Sequence, residues 1–385
     1  MTISGFLIII LKLAVLFAAL SVVVLGLTWL ERKVLGRLQR RLGPTRTGPM
    51  GLLQPLADAL KLVLKEDIIP SASEKAVFWV APVIVVISAF VIWVTIPGSQ
   101  TLVVQNLDLG VFYIIAFSVV GILGLLMAGW GSANKYGALG GLRAAAQLIS
   151  YEIPVIMVVV AVSMLAQSLD LRVIVEEQSS YPYLLVQPLG LVIFFIAGLA
   201  EVGRTPFDIY HAESEVVGGP FVEYSGAHWA VFFLAEYINT FAIAALTALL
   251  FLGGWSGPFL PPVVWFLLKT LGVVLVVFWV RGTFPRLRID QLMAFAWKAL
   301  VPLSFYNIVV TAVYQFYGWP AWSLTLMSLA GLAGVGYLVY RRMTGPARRV
   351  AQVRARQRAM QSRRPPAGGS AAVPVPQPAP TQGQG

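Results

Sequence analysis

The sequence predicts an all-α, polytopic transmembrane bundle of about nine spans, with one amphipathic interfacial helix in the first cytoplasmic loop. Three observations carry this. Of 385 residues, 58% are hydrophobic and only 12% charged, where a soluble domain carries about 25% charge. The apolar residues fall into blocks of roughly 20, long enough to cross a hydrocarbon core about 30 Å thick. The basic residues crowd into alternate connections between those blocks. Strands of a membrane barrel would instead alternate apolar and polar positions in short segments.

The first block, about 5–30, is too long for a signal-peptide core and is followed by no small-residue cleavage site, so it reads as a retained span. The others run over 76–96, 111–130, 150–168, 184–203, 228–252, 262–281, 300–317 and 321–340. The last two form a hairpin around Gly318-Trp319-Pro320. With the N-terminus outside, the connections 31–75, 131–149, 201–227 and 281–299 and the tail from Arg341 are cytoplasmic. They hold nine, two, one, four and nine Lys/Arg, which is 25 of the 28. Only Arg172 lies in an outer connection; Lys12 and Lys269 lie within spans and are expected to snorkel to an interface. The formal charge of +11 is therefore a topology signal and a membrane-surface charge, and no nucleic acid is called for. The domain reading is a transmembrane domain over 1–340 and a basic cytoplasmic segment over 341–364. A Pro/Gly/Ala-rich tail over 365–385 cannot bury enough apolar surface to fold. No internal repeat is visible, unlike an inverted-repeat transporter.

There is no cysteine. That excludes disulfides, thiolate zinc sites and cysteine-ligated iron–sulfur clusters on this chain. Two histidines, His211 and His228, do not build a metal or haem site alone. Any redox centre must sit on a partner.

The outer connections are short. The cytoplasmic ones are long and rich in Gly, Pro and charge, which is where function concentrates on a rigid bundle. The first opens with Glu31-Arg32-Lys33, turns at Gly43-Pro44 and Gly48-Pro49, and continues into an amphipathic helix over 51–66. Leu52, Leu53, Leu56, Leu60, Val63 and Leu64 form its apolar face, with Gln54, Asp58, Lys61 and Lys65 opposite. It is too short and too charged to span and reads as an interfacial helix, either a simple anchor or the wall of a lipid-accessible cavity. The second runs from Gly129-Trp130 to Tyr136, then through Arg143, Gln147, Ser150 and Tyr151 to Glu152, just inside the next span and ahead of Pro154, which permits a kink.

The third connection is the most acidic. It holds Glu201, Asp208, Glu213, Glu215 and Glu223, with Arg204 as its only cation. Glu236 follows about nine residues into a span, roughly 13 Å deep at 1.5 Å per residue. An ionisable group there costs several kcal/mol unless it is paired, hydrated or protonated. Glu236 and Glu152 together suit a proton relay. The fourth connection, Arg281 to Leu292 with Trp297 and Lys298 beyond, offers Arg281, Arg286 and Arg288 to an acidic loop, this chain's own third connection or a partner's.

Four ordered motifs resemble the H subunit of NADH-quinone oxidoreductase, bacterial respiratory complex I, the counterpart of mitochondrial NADH dehydrogenase subunit 1. They are Glu31-Arg32-Lys33 with Gly43-Pro44 and the run from Gly51 to Lys61; Gly129-Trp130 through Lys135-Tyr136 with Ser150-Tyr151-Glu152; Pro206-Phe207-Asp208, Glu213-Ser214-Glu215, Glu223-Tyr224-Ser225-Gly226 and Ala235-Glu236-Tyr237; and Pro285 through Met293. They span about 25–305.

The resemblance implies a subunit of a proton-translocating NADH:quinone oxidoreductase in the bacterial inner membrane, with no cofactor and no catalytic residue of its own. FMN and iron–sulfur clusters would sit on partner subunits, with quinone as substrate. Its cytoplasmic loops would dock the hydrophilic arm; small membrane subunits, antiporter-like subunits and membrane lipid would be further neighbours. It implies that Glu31, Arg32, Asp58, Asp208, Arg281 and Arg286 line a quinone chamber. Glu152, Glu201, Glu213, Glu215, Glu223 and Glu236 would form a carboxylate path towards the antiporter-like subunits. The chain departs from the family pattern at His211, where a glutamate is usual, and His211 joins the expected relay in its place. Gly219-Pro220-Phe221 also differs from the usual stretch. The alternative reading is the homologous membrane subunit of a proton-pumping hydrogenase or formate hydrogenlyase, which keeps the fold without a quinone headgroup site.

Overall fold

The structure is a computed structural model that describes residues 3–210, 213–337 and 341. The chain divides into two compact units, Met1–Gly331 and Leu332–Gly385. The first holds everything described below, save the end of the last helix, which runs on into the second. The expected basic segment beyond Arg341 and the tail over 365–385 lie outside the described residues.

Among the described residues the fold is helical, without a strand. In chain order the elements are α1 (Ile3–Leu38), a 3₁₀ turn (Pro49–Gly51) and α2 (Gln54–Leu64). Then follow α3 (Lys75–Ile92), α4 (Gly110–Gly131) and α5 (Lys135–Ala166). Short helices α6 (Leu171–Glu177) and α7 (Tyr183–Val186) precede α8 (Pro188–Val202). The third connection contributes α9 (Glu213–Val216) and a 3₁₀ turn (Gly219–Phe221). The rest is α10 (Gly226–Phe251), α11 (Pro262–Thr283), α12 (Ile289–Phe295), a π turn (Ala296–Leu300), α13 (Val301–Tyr317) and α14 (Ala321–Tyr337).

Among the described residues seven helices are long and apolar enough to cross a membrane: α1, α3, α4, α5, α10, α11 and the continuous α12–α13 rod. Two shorter apolar helices, α8 and α14, complete a polytopic bundle of the predicted kind. The central helices are α5 and α10: 61% and 72% of their apolar windows are buried, against 11% for α1. Hence α1 turns most of its surface outward, and the buried ionisable groups of the molecule gather around α5 and α10.

Three connections expected as loops are largely helical. At 36 residues α1 is about 54 Å long, so Glu31-Arg32-Lys33 ride on its last turns rather than on a loop. Likewise α5 begins at Lys135, not near 150, because the Asn134 side chain accepts a hydrogen bond from Tyr136 N and caps the helix. The Gly/Ala/Leu-rich stretch behind it, Arg143 included, then propagates. On the fourth connection helix resumes at Ile289. The shortening runs the other way at α8: the 184–203 block breaks at Gln187, whose backbone (φ −131°, ψ 60°) leaves the helical region ahead of Pro188, leaving 15 residues, about 22 Å. The expected amphipathic helix over 51–66 is confirmed over Gln54–Leu64, with Leu52, Leu53, Leu56, Leu60, Val63 and Leu64 exposed along it.

On the face opposite the third connection, polar side chains tie the turns together. Gln178 donates to the Ile174 and Leu249 carbonyls and accepts from the Tyr183 and Gly253 amides. Lys269, half-buried, turns its Nζ to the connection at the C-terminal end of α10 and donates to the carbonyls of Leu252 and Ser256, both at 2.7 Å. A cation there opposes the negative end of the helix dipole.

Candidate functional site

The site begins with Glu31, 3% exposed on α1. One oxygen accepts from the Tyr237 hydroxyl at 2.5 Å; the other meets the Arg281 guanidinium and lies 3.9 Å from Arg204 Nη1. Arg204, just past the end of α8, reaches Glu236 Oε1 with its Nε at 3.2 Å and stacks its guanidinium 4.4 Å from the centre of the Tyr237 ring. Burial works against the Arg204 charge, but Glu236 and then Glu31 outweigh it, and its proton is held more firmly than an ordinary arginine's. Four segments far apart in sequence thus converge on two carboxylates and two guanidiniums. The depth of Glu236 is answered by pairing, one of the three remedies its burial requires.

This network borders a cavity of about 510 Å³ lined by Arg204, Asp208, Glu236, Tyr237, Arg281 and Arg286. Arg286 sits 3.7 Å from Asp208, and Leu287 N donates to Pro206 O at 3.0 Å. Within this chain the fourth connection therefore lies along its own third connection. Glu31 stands behind Arg281 and Tyr237 and is not on the cavity surface. Arg32 and Asp58 lie apart from it, paired with each other at 2.6 Å. Asp58 also accepts from Gln54 and faces Lys61 at 3.8 Å. Partial burial raises the Asp58 pKa, but the hydrogen bond and charge of Arg32 overcome that and hold it below the usual carboxylate range.

A second cavity, about 110 Å³ and mostly apolar, lies between α3, α4, α5, α8 and α10. Glu152, Glu201 and Glu236 all line it. Ser118 donates to Glu152 at 2.7 Å, and Glu201 Oε2 is buried without a hydrogen-bond partner among the described residues. From α10 the lining residues are Phe232, Glu236, Asn239, Ala242, Ile243, Leu246 and Leu250, spaced so that they share one face of the helix. The two remaining acids of the third connection with described side chains line neither cavity. Glu215 pairs with Arg143 at 2.7 Å, and Glu223 accepts from Asn134 at 2.5 Å. The side chain of Glu213, and His211 altogether, lie outside the described residues.

The third connection is held in place by α5. Gln147, 2% exposed, donates to the carbonyls of Ala200 and Phe207 at 2.7 and 2.8 Å. Gly140 lies against the backbone of Gly219, whose φ of +61° suits glycine; a Cβ on Gly140 would run into the Gly219 backbone, and one on Gly219 into the Tyr210 carbonyl. Val217 takes φ +60° despite its branched side chain, a conformation that costs about 1–2 kcal/mol and that the surrounding packing must enforce. Alongside, Tyr151 donates to Leu292 O at 3.0 Å and Trp297 Nε1 to Ser150 Oγ at 3.3 Å. The π turn is thereby docked next to Glu152.

Arg204 stands at the centre of the network, although the sequence marked it only as the lone cation among carboxylates. Tyr237 and Ser118 carried no expected role; the deep glutamates they contact were the available signal. His228 Nδ1 is 2.5 Å from Asp67 Oδ2 and its ring meets Trp79 edge-on. No cluster of His, Asp or Glu among the described residues could hold a metal ion.

A family model described as NADH dehydrogenase matches residues 11–312. The NADH-quinone oxidoreductase H subunit of Dehalococcoides mccartyi (strain CBDB1) is 49% identical over 300 residues, covering 78% of this chain and 85% of that protein. A second-copy H subunit of the same enzyme from Syntrophobacter fumaroxidans is 47% identical over 320 residues, with 81% and 97% covered. The H subunit from Brevibacillus brevis is 48% identical over 307 residues, with 77% and 91% covered.

Proposed function

The chain belongs to the family of NADH-quinone oxidoreductase H subunits, membrane components of an oxidoreductase complex, and from that premise we propose that it houses quinone reduction and passes its consequence on as proton movement. The larger cavity, with Arg204, Asp208, Tyr237, Arg281 and Arg286, is the quinone chamber. Glu31 stands behind that wall, and Arg32 and Asp58 on α1 and α2 mark the approach from the lipid side. The redox centres, FMN and iron–sulfur clusters, belong to the hydrophilic arm that docks on the cytoplasmic connections. The carboxylates of the third connection and of α5, α8 and α10 lead towards the antiporter-like subunits. His211 and Glu213 take part in the same path.

The observation that carries this reading is the position of Glu236. It lines both cavities and is ion-paired to Arg204, which also faces Glu31. Reducing a quinone to a quinol takes up two electrons and two protons, so charge changes at the chamber wall. Arg204 is shared between two carboxylates; a change in charge at Glu31 alters the field it exerts on Glu236, and the reverse. That couples the chamber electrostatically to the carboxylate that also borders the smaller cavity.

The test is Glu236→Gln and Glu152→Gln, which keep volume and remove titration. Protons pumped per NADH should fall in both while the complex still assembles. Normal pumping in both variants would reduce these residues to structural ones. The proposed orientation in the bacterial inner membrane puts the N-terminus outside. Reporter fusions at Gly345 and Gly110 should then lie on opposite sides, the first cytoplasmic; the same side for both would sink it.

A further inference from the structure

Two cavities that meet at a carboxylate raise the question of what else separates them. Among the described residues three side chains line both: Glu236, Phe221 and Phe232. The larger space is walled by Arg204, Asp208, Arg281 and Arg286; the smaller holds Glu152 and Glu201 in an apolar lining. If water were continuous between them, protons would pass in both directions whatever Glu236 did.

The two phenylalanines are built to prevent that. Phe232 is 4% exposed and sits one turn before Glu236 on the cavity-facing stripe of α10. Phe221 closes on it with ring centroids 4.6 Å apart and planes at 51°, a packed aromatic pair. Tyr224 meets Phe232 edge-on at 4.9 Å and is itself stacked on Phe78 of α3 at 4.0 Å. The wall is thus braced from a third helix. Phe221 is set by the 3₁₀ turn that Gly219 presses against Gly140, so it comes from the third connection while Phe232 comes from a central helix.

We propose that Phe221 and Phe232 form a dry partition between the chamber and the carboxylate cavity, leaving Glu236 as the crossing point. This rests on the reading of the two cavities given above. An aromatic pair offers water no hydrogen bond, and a passage narrowed by such rings empties readily. A proton then crosses only on the carboxyl of Glu236, one at a time, under the control of Arg204. That is the property a pump needs at the junction between its chemistry and its channel.

The chain's lack of cysteine makes a direct test available. In the assembled complex, Ser118→Cys places a thiol in the smaller cavity beside Glu152. Its labelling by a small charged methanethiosulfonate added from the cytoplasmic side is followed by mass spectrometry of this subunit. With the partition intact, labelling should be slow. Adding Phe232→Ala or, independently, Phe221→Ala should speed it at least tenfold, while Phe232→Leu should stay within threefold of the starting rate. Two alanine variants guard against one failing to assemble. Equal rates with and without the rings would overturn the partition, even where Glu236→Gln abolishes pumping. Faster labelling with normal pumping by Glu236→Gln would keep the partition and remove the relay reading.

Discussion

Replacing Arg204 with methionine removes one guanidinium from between two carboxylates and leaves the helices otherwise intact. Arg204 is 4% exposed and Glu31 equally so, so solvent does little to screen them. At an effective dielectric near 20, a pair at 3.2 Å is worth about 5 kcal/mol and one at 3.9 Å about 4 kcal/mol. Desolvation of the arginine consumes much of that, and the net cost of stranding a buried partner is about 3–5 kcal/mol. Glu31 keeps Arg281 and Tyr237; Glu236 loses the Arg204 guanidinium. Arg204→Met should therefore sharply lower the yield and thermal midpoint of the assembled complex. Arg204→Met combined with Glu236→Gln should recover at least half of that loss, because both members of the pair are removed together. Pumping should not recover. The assay is recovery of intact complex from membranes and its thermal dissociation, for the parent, two single variants and the double. If the losses simply add, Arg204 and Glu236 are not energetically coupled, and the network is a crowding of charges without function.

The seat of the third connection gives a second outcome. Gly140→Ala puts a methyl group against the Gly219 backbone and Pro220, and overpacking of this kind costs about 1–3 kcal/mol; stability of the complex and pumping should fall together, since Phe221 and Glu215 hang on the same segment. Gly26→Ala, on the same test, meets nothing within 4 Å and should match the parent or slightly exceed it through helix propensity. Equal behaviour of the two variants would show that the close contact does not hold the connection.

The membrane blocks were legible because lipid imposes a uniform demand on every outward face, and composition records it directly. The place of Glu236 well inside α10 was legible for the same reason: position along a helix converts to distance at a fixed rise. The ends of α1 and α5 were not, because a helix can continue into water once it is capped and its side chains are good formers, as after Asn134. The convergence of Glu31, Arg204, Glu236 and Arg281 depends on which faces of α1, α10 and α11 meet, and no local pattern encodes that. The same holds for Phe221 and Phe232. In a chain where 12% of residues are aromatic, the pair that divides two cavities looks like any other.

The stripe by which α1 is held has a mechanical consequence. Leu20, Val24, Leu27 and Glu31 are its most buried large side chains, at intervals of four, three and four, and they face one way. Off the stripe its contacts are scattered: Phe17 stacks on Phe90, Trp29 donates to Met50 O and Arg32 pairs with Asp58. Apolar contacts resist separation yet are tolerant of rotation, since one methyl group substitutes for another. Glu31 is different: it must meet Tyr237 and Arg281 at fixed points, and a turn of one residue swings it by about 100°. The carboxylate at the end of the stripe therefore acts as the key in a shaft. Together with the Arg32–Asp58 pair one residue on, it fixes the angular setting of a helix whose surface is otherwise mostly exposed.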